Sequence, residues 1–182
     1  MGDLLPSTSH AMDTLCTHHA QIMSLLKTLD HVCEGEMRAE LVYELFVELR
    51  VHSVLEQQVF YPALSPLLSH DQIERYGKEQ YLILALMLEL EQTDEGNDQF
   101  ACNLAIIADR FSEHIEEHER SLFRNLEKER SAIDFSALGK RLDLRKQELL
   151  EKMRSRMKPR SGSGHRGGSF VAQAPTKHIR CA

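Results

Sequence analysis

Hydrophobic positions recur at intervals of three and four along most of the chain. Met12, Leu15, His19, Ile22, Leu26 and Leu29 fall on one face of a helix. Val42, Leu45, Leu49, His52, Glu56, Val59 and Ala63 repeat the pattern. So do Ile73, Tyr76, Gln80, Ile83, Met87 and Leu90, and then Leu104, Ile107, Phe111, His114, His118 and Leu122. No segment of comparable length alternates with a period of two, so the pattern predicts helices and no strands. The breaks CEGE at 33–36, SPLLSHD at 65–71 and TDEGND at 93–98 are turn-like. Four amphipathic helices joined by short loops predict an all-α fold, most simply an up-down-up-down antiparallel four-helix bundle. A fifth helix is expected from about Asp134 to Met157, with Asp134 or Ser136 as its N-cap. After Pro159 the chain is rich in Gly and Ser and poor in apolar residues, which predicts disorder. The expected organisation is a helical bundle over 1–157 and a disordered basic tail over 158–182.

Each stripe carries a polar residue where a bundle would place leucine. These are His19, the pair His52 and Glu56, Gln80, and the pair His114 and His118. Burying an unpaired polar group costs several kcal/mol on the scale of transfer data, so groups at mid-stripe on four helices are expected to meet. A metal ion satisfies imidazoles and carboxylates together. The i, i+4 spacing of His52 with Glu56 and of His114 with His118 puts two ligands one turn apart on each helix. Two such pairs on facing helices can build a two-metal site. A single mid-stripe histidine is most often a hydrogen-bonded core residue, and one HxxxE is common on solvated helices. His70 and Glu74, at a loop–helix junction, are read as such a solvated pair. The conjunction on four helices is what points to metal. Imidazole and carboxylate without thiolate suit iron, manganese or zinc.

Composition alters this picture little. The chain has 182 residues, of which 42% are hydrophobic and 27% charged, as in an ordinary globular protein. No apolar run approaches the roughly 18 residues of a membrane span. MGDLLPSTSHAMD lacks the basic and apolar regions of a secretory signal and fits a myristoylation pattern only loosely. Charge is more informative. From Lys152 onward there are eight basic residues and no acidic one, leaving residues 1–151 with 14 basic and 28 acidic side chains. An acidic body is a poor nucleic-acid binder, and the tail lacks aromatics beyond Phe170, so no nucleic-acid or membrane partner is expected. Cys16, Cys33, Cys102 and Cys181 show no short spacing, so free thiols in a reducing cytoplasm are expected.

The segments His52-SVL-Glu56-QQVFYPAL and His114-IEE-His118-Glu119-RSLF resemble the second and fourth helices of the hemerythrin-like family, the HHE cation-binding domain. His19-AQIMSLL resembles its first-helix segment, and Ala137-LGKRLDLRKQELL a C-terminal helix of bacterial members; the likeness spans roughly residues 8–155. Two departures stand out. The third helix has Glu79-Gln80 where the family has Glu-His, and His118 stands where the family usually has Glu. The resemblance implies a non-haem di-iron cofactor. It places His19 and His52 on one metal, His114 and His118 on the other, and Glu56 and Glu119 as bridges. Gln80 or Glu79 would be the third-helix ligand. Dioxygen, nitric oxide or peroxide are the implied small ligands. Family members include both binding modules and enzymes, so three functions stay open: a binding or sensing module, an enzyme acting on peroxide or nitric oxide, and an interaction protein with a degenerate site.

Overall fold

The computed structural model describes residues 10–32, 35–94, 96–128 and 133–156. Within them all regular structure is helical and no strand is present. Helix α1 covers His10–His31. Helix α2 covers Glu36–Leu55 and runs on through a π turn, Glu56–Phe60, into a last α turn, Tyr61–Leu64. Helix α3 covers His70–Glu91. Helix α4 covers Asp98–Glu117 and continues through a second π turn, His118–Leu122, into Phe123–Lys128. Helix α5 covers Phe135–Arg156. The tail over 158–182, and its boundary with the bundle, lie outside the described residues.

Local chemistry sets the helix starts. Gly35, at φ 134°, takes a backbone conformation that side-chain-bearing residues rarely adopt, immediately before α2. Ser69 and Gln72 form a reciprocal capping box on α3, and the Asn97 side chain accepts the Gln99 N–H on α4. Asp134 Oδ1 accepts the Ala137 N–H at 2.9 Å, so it is Asp134 that caps α5.

The stripes face inward much as their spacing predicts. Every residue of the first and fourth sets is buried, and only Ile73 of the third is not. Ala63 of the second set is half-buried, whereas Tyr61 and Leu64 are buried. Val59 still falls on the buried side, and only past it does the phase shift of the π turn take Ala63 off the stripe. Helix α5 packs on α1 and α2, α3 on α4, α1 also on α4, and α2 on α3. His10 Nε2 and Thr14 Oγ1 both meet Asp143, at 2.7 and 3.0 Å, tying α1 to α5.

The apolar interior falls into two clusters. One gathers Leu15, Val51, Leu55 and Leu122 with Leu138 and Leu142 of α5. The other gathers Ile22, Leu49, Ile83 and Phe111. His19 lies between Leu15 and Ile22 in sequence, His52 between Leu49 and Leu55, and His114 and His118 between Phe111 and Leu122. The polar residues therefore form a layer separating two oily ones. Among the described residues no helix is long and apolar enough to cross a membrane. The expectation of free thiols throughout is corrected at Cys102, which is disulfide-bonded, while Cys16 is free.

Candidate metal centre

Glu56, the first residue of the π turn in α2, is completely buried. Its two carboxylate oxygens face different neighbours. Oε1 lies 3.1 Å from His118 Nδ1, 3.4 Å from His52 Nε2 and 3.9 Å from His19 Nε2. Oε2 lies 3.5 Å from His114 Nε2, accepts the Tyr61 hydroxyl at 2.8 Å, and accepts the Gln80 side-chain amide. Ligand atoms of His19, Glu56, His114 and His118 all fall within 4.8 Å of one another. That is close to the span of one ion's ligand shell, in which opposed nitrogens on bonds of about 2.1 Å stand roughly 4 Å apart. His52 joins the group through His114, their Nε2 atoms being 3.1 Å apart.

Proton accounting at Tyr61 is decisive. Its hydroxyl has one hydrogen, and that goes to Glu56 Oε2. The Tyr61 hydroxyl oxygen lies 3.0 Å from His118 Nε2, so Nε2 carries the proton and donates to it. The other nitrogen, Nδ1, then holds a lone pair, and it points toward a carboxylate oxygen. Neither His118 Nδ1 nor Glu56 Oε1 has a hydrogen-bond partner, although both are buried. His19 Nε2 is a third such orphan at the same place. His118 Nδ1 and Glu56 Oε1, two electron-rich atoms turned on one another in a dry interior, are satisfied by a cation. The donors present, imidazole nitrogens with a carboxylate, fit a transition metal of the iron, manganese or zinc kind.

The electrostatics agree. Burial pushes the His118 imidazole down to about 4, so it stays neutral with Nδ1 free. His52 is also lowered, first by burial. Burial disfavours the Glu56 carboxylate, but the surrounding imidazoles, His118 foremost, more than reverse this and hold it well below the usual carboxylate range. His19 is opposed by burial yet raised overall, because Glu119 Oε1 sits 3.0 Å from its Nδ1.

The remaining candidates occupy distinct places. Glu119 approaches His19 from the ring edge away from Glu56 and is 39% exposed. There it fixes the proton on Nδ1 and turns Nε2 inward, the usual work of a carboxylate behind a metal-binding histidine. Gln80 reaches Glu56 with its amide nitrogen, while its oxygen accepts from Gln57 Nε2 at 3.0 Å and Ser53 Oγ at 3.3 Å. Glu79 is half-buried and outside the group; burial and Glu117 raise its carboxyl. His70 and Glu74 are exposed, and Glu74 pairs with Lys78. Sequence reasoning missed Tyr61, because only a π turn brings residue i+5 back under Glu56. It also missed His18, fully buried, 2.7 Å from Glu48 and edge-on to His52. His18 lies three residues after Leu15 and four before Ile22, so its spacing had offered the signal.

Beside this centre lies a cleft of about 430 Å³, lined by Arg75, Tyr76, Ser121 and Asn125 among others. Tyr76 separates the cleft from the histidines, stacked on Tyr61 at 5.4 Å and edge-on to His118 at 5.2 Å.

Taken together, a helical fold with a buried nest of histidines around one carboxylate defines a cation-binding helical protein. The hemerythrin HHE cation-binding domain family matches residues 10–126, and the chain belongs to that family. The match ends before α5, short of the likeness over residues 8–155 expected from sequence. No curated protein and no solved structure matches the chain.

Proposed function

We propose that this chain is a non-haem di-iron protein of hemerythrin type that binds or senses dioxygen, nitric oxide or iron itself. The observation that carries the reading is the buried confrontation of Glu56 Oε1 with the lone pair of His118 Nδ1, flanked by His19 Nε2. His19, His52, His114 and His118 would supply nitrogen, and Glu56, whose two oxygens face different imidazoles, would supply the carboxylate. Glu119 orients His19 from behind instead of bridging. Gln80 would act on the third-helix side by holding Glu56 through its amide N–H, its oxygen being taken by Gln57 and Ser53, so it would orient the carboxylate and not bind the metal as expected from sequence. Bound iron would supply reversible one-electron chemistry and Lewis acidity toward a small ligand. The chain's own part is to gather the ligands, exclude water and fix the imidazole tautomers through Tyr61 and Glu119. The packing of α1 with α2 and α4, and of α3 with α4 and α2, supports the up-down-up-down antiparallel arrangement.

An enzymatic reading, turnover of peroxide or nitric oxide, is favoured by one observation: the cleft behind Tyr76 gives a small reactant a place beside the centre.

Iron content of the purified protein, by plasma emission, tests the proposal. Wild-type protein is expected to hold iron, and His52→Ala and His114→Ala to lose most of it while keeping their helicity, because the apolar stripes hold the helices. Full occupancy in both variants would refute the site. Measured consumption of peroxide or nitric oxide by the iron-loaded protein separates enzyme from binding module.

A further inference from the structure

Helix α3 has one face too many. Its core side is Tyr76, Gln80, Ile83, Met87 and Leu90, all buried. The opposite face of a helix on a monomer is ordinarily polar. Here the eight residues 81–88, YLILALML, carry no charge at all. Tyr81 is 70% exposed, Leu82 52% and Leu88 46%, on the side turned away from the core. A shallow, open groove lies on this face, lined by Glu74, Gly77, Lys78, Tyr81 and Leu82. The space above the Gly77 Cα is unoccupied out to 4 Å. A contiguous apolar face of this kind marks an association surface.

We propose that this face binds a second copy of the chain, with the two α3 helices antiparallel about a two-fold axis near residues 83 and 84. The face is self-complementary. Lys78 flanks the apolar stretch at its N-terminal end and Glu89 at its C-terminal end, on the same side of the helix. Reversing one helix on the other brings each Lys78 against Glu89 of the second copy. The same operation lays each Leu88 between Gly77 and Tyr81 of the second copy, in the groove. One patch thereby satisfies both its charge and its shape against itself, as a two-fold interface requires. The existing Lys78–Glu74 pair is a solvated i, i+4 contact of little worth and yields readily. The metal centre lies on the other side of α3, so association and metal content are independent.

Light scattering of the full chain tests this. The wild-type protein is expected at twice the mass of one chain. Leu82→Glu is expected to raise the dimer dissociation constant about tenfold or more, the scale of losing one buried anchor. Lys78→Glu is expected to weaken the dimer, and Lys78→Glu combined with Glu89→Lys to restore it. Circular dichroism and iron content should be unchanged in all three, because the residues face outward. A monomeric wild type overturns the proposal. So does a wild type that dimerises only after truncation at Lys158, which would show the tail covering this face. Failure of the double charge reversal to restore the dimer overturns the antiparallel pairing.

Discussion

Tyr61 illustrates how much one hydroxyl can decide. By giving its proton to Glu56 and taking one from His118, it fixes which nitrogen of His118 faces the centre. Tyr61→Phe removes that control with little change of volume. We expect metal affinity to fall about 10- to 100-fold, as when an orienting partner of a metal ligand is lost, with helicity retained; competition with a coloured chelator measures it. Unchanged affinity would assign the tautomer to something else. The same residues set a pH dependence. The His118 imidazole goes from an ordinary 6.5 to about 4 in the fold, and His52 and His18 are also lowered, burial being the first cause in each. The unfolded chain therefore binds protons near pH 6.5 that the folded chain refuses. Stability from these groups is complete above pH 6.5 and drains away as pH falls toward 4. His118 alone accounts for about 3 kcal/mol at the end of that range. Glu56, lowered below its ordinary 4.5, loses stability in the same direction further down. His19, raised, works the other way and stabilises below pH 6.5. Three histidines and a carboxylate outweigh one histidine. The melting temperature of the metal-free protein is thus expected to fall from pH 7 to pH 4, and a flat profile would contradict these assignments.

At the scale of elements, the two π turns begin at Glu56 and at His118, both within the centre. A π turn adds one residue to a helical turn and returns residue i+5, not i+4, to the same side. The backbone N–H of Tyr61 accordingly donates to the Glu56 carbonyl, and that of Phe123 to His118. Deleting Gln58, an exposed residue of the first π turn, should let α2 run straight and carry Tyr61 away from Glu56. Iron stoichiometry is expected to drop while far-ultraviolet dichroism stays nearly constant; full iron loading would mean that the π turn does not matter. These turns also mark where the sequence stopped being readable. The mid-stripe residues His19, His52, Glu56, Gln80, His114 and His118 were legible because straight helices repeat every three to four residues, and all six are buried together. Tyr61 was not, because the π turn answers to the packing around Glu56 and not to local preference. Glu119 was assigned to the right neighbourhood, but the side from which it meets His19 depends on helix rotation that no spacing reports.

For the whole molecule, charge and length suggested a bundle followed by a basic tail, and the centre described here draws on residues of α1 to α4 and the π turns alone. Truncation after Lys158 is expected to leave iron content and melting temperature nearly unchanged, since no stripe residue lies beyond it. A large loss of iron would bring His165 or His178 into the centre. The Cys102 disulfide was beyond sequence reasoning, because a bridge depends on spatial approach that no local spacing reports.

The depth of Glu56 has a kinetic consequence. Among the described residues the carboxylate and His118 are fully enclosed, and His19, His52 and His114 nearly so. An ion held there would leave more readily as the helices part, so its departure would be timed by the breathing of the protein more than by the strength of the chelator outside. Stripping should reach a plateau rate as chelator concentration rises, and that plateau should track the deuterium exchange of the amides around His19 and His114. What the fold gains by gathering its ligands in advance, it keeps as residence time.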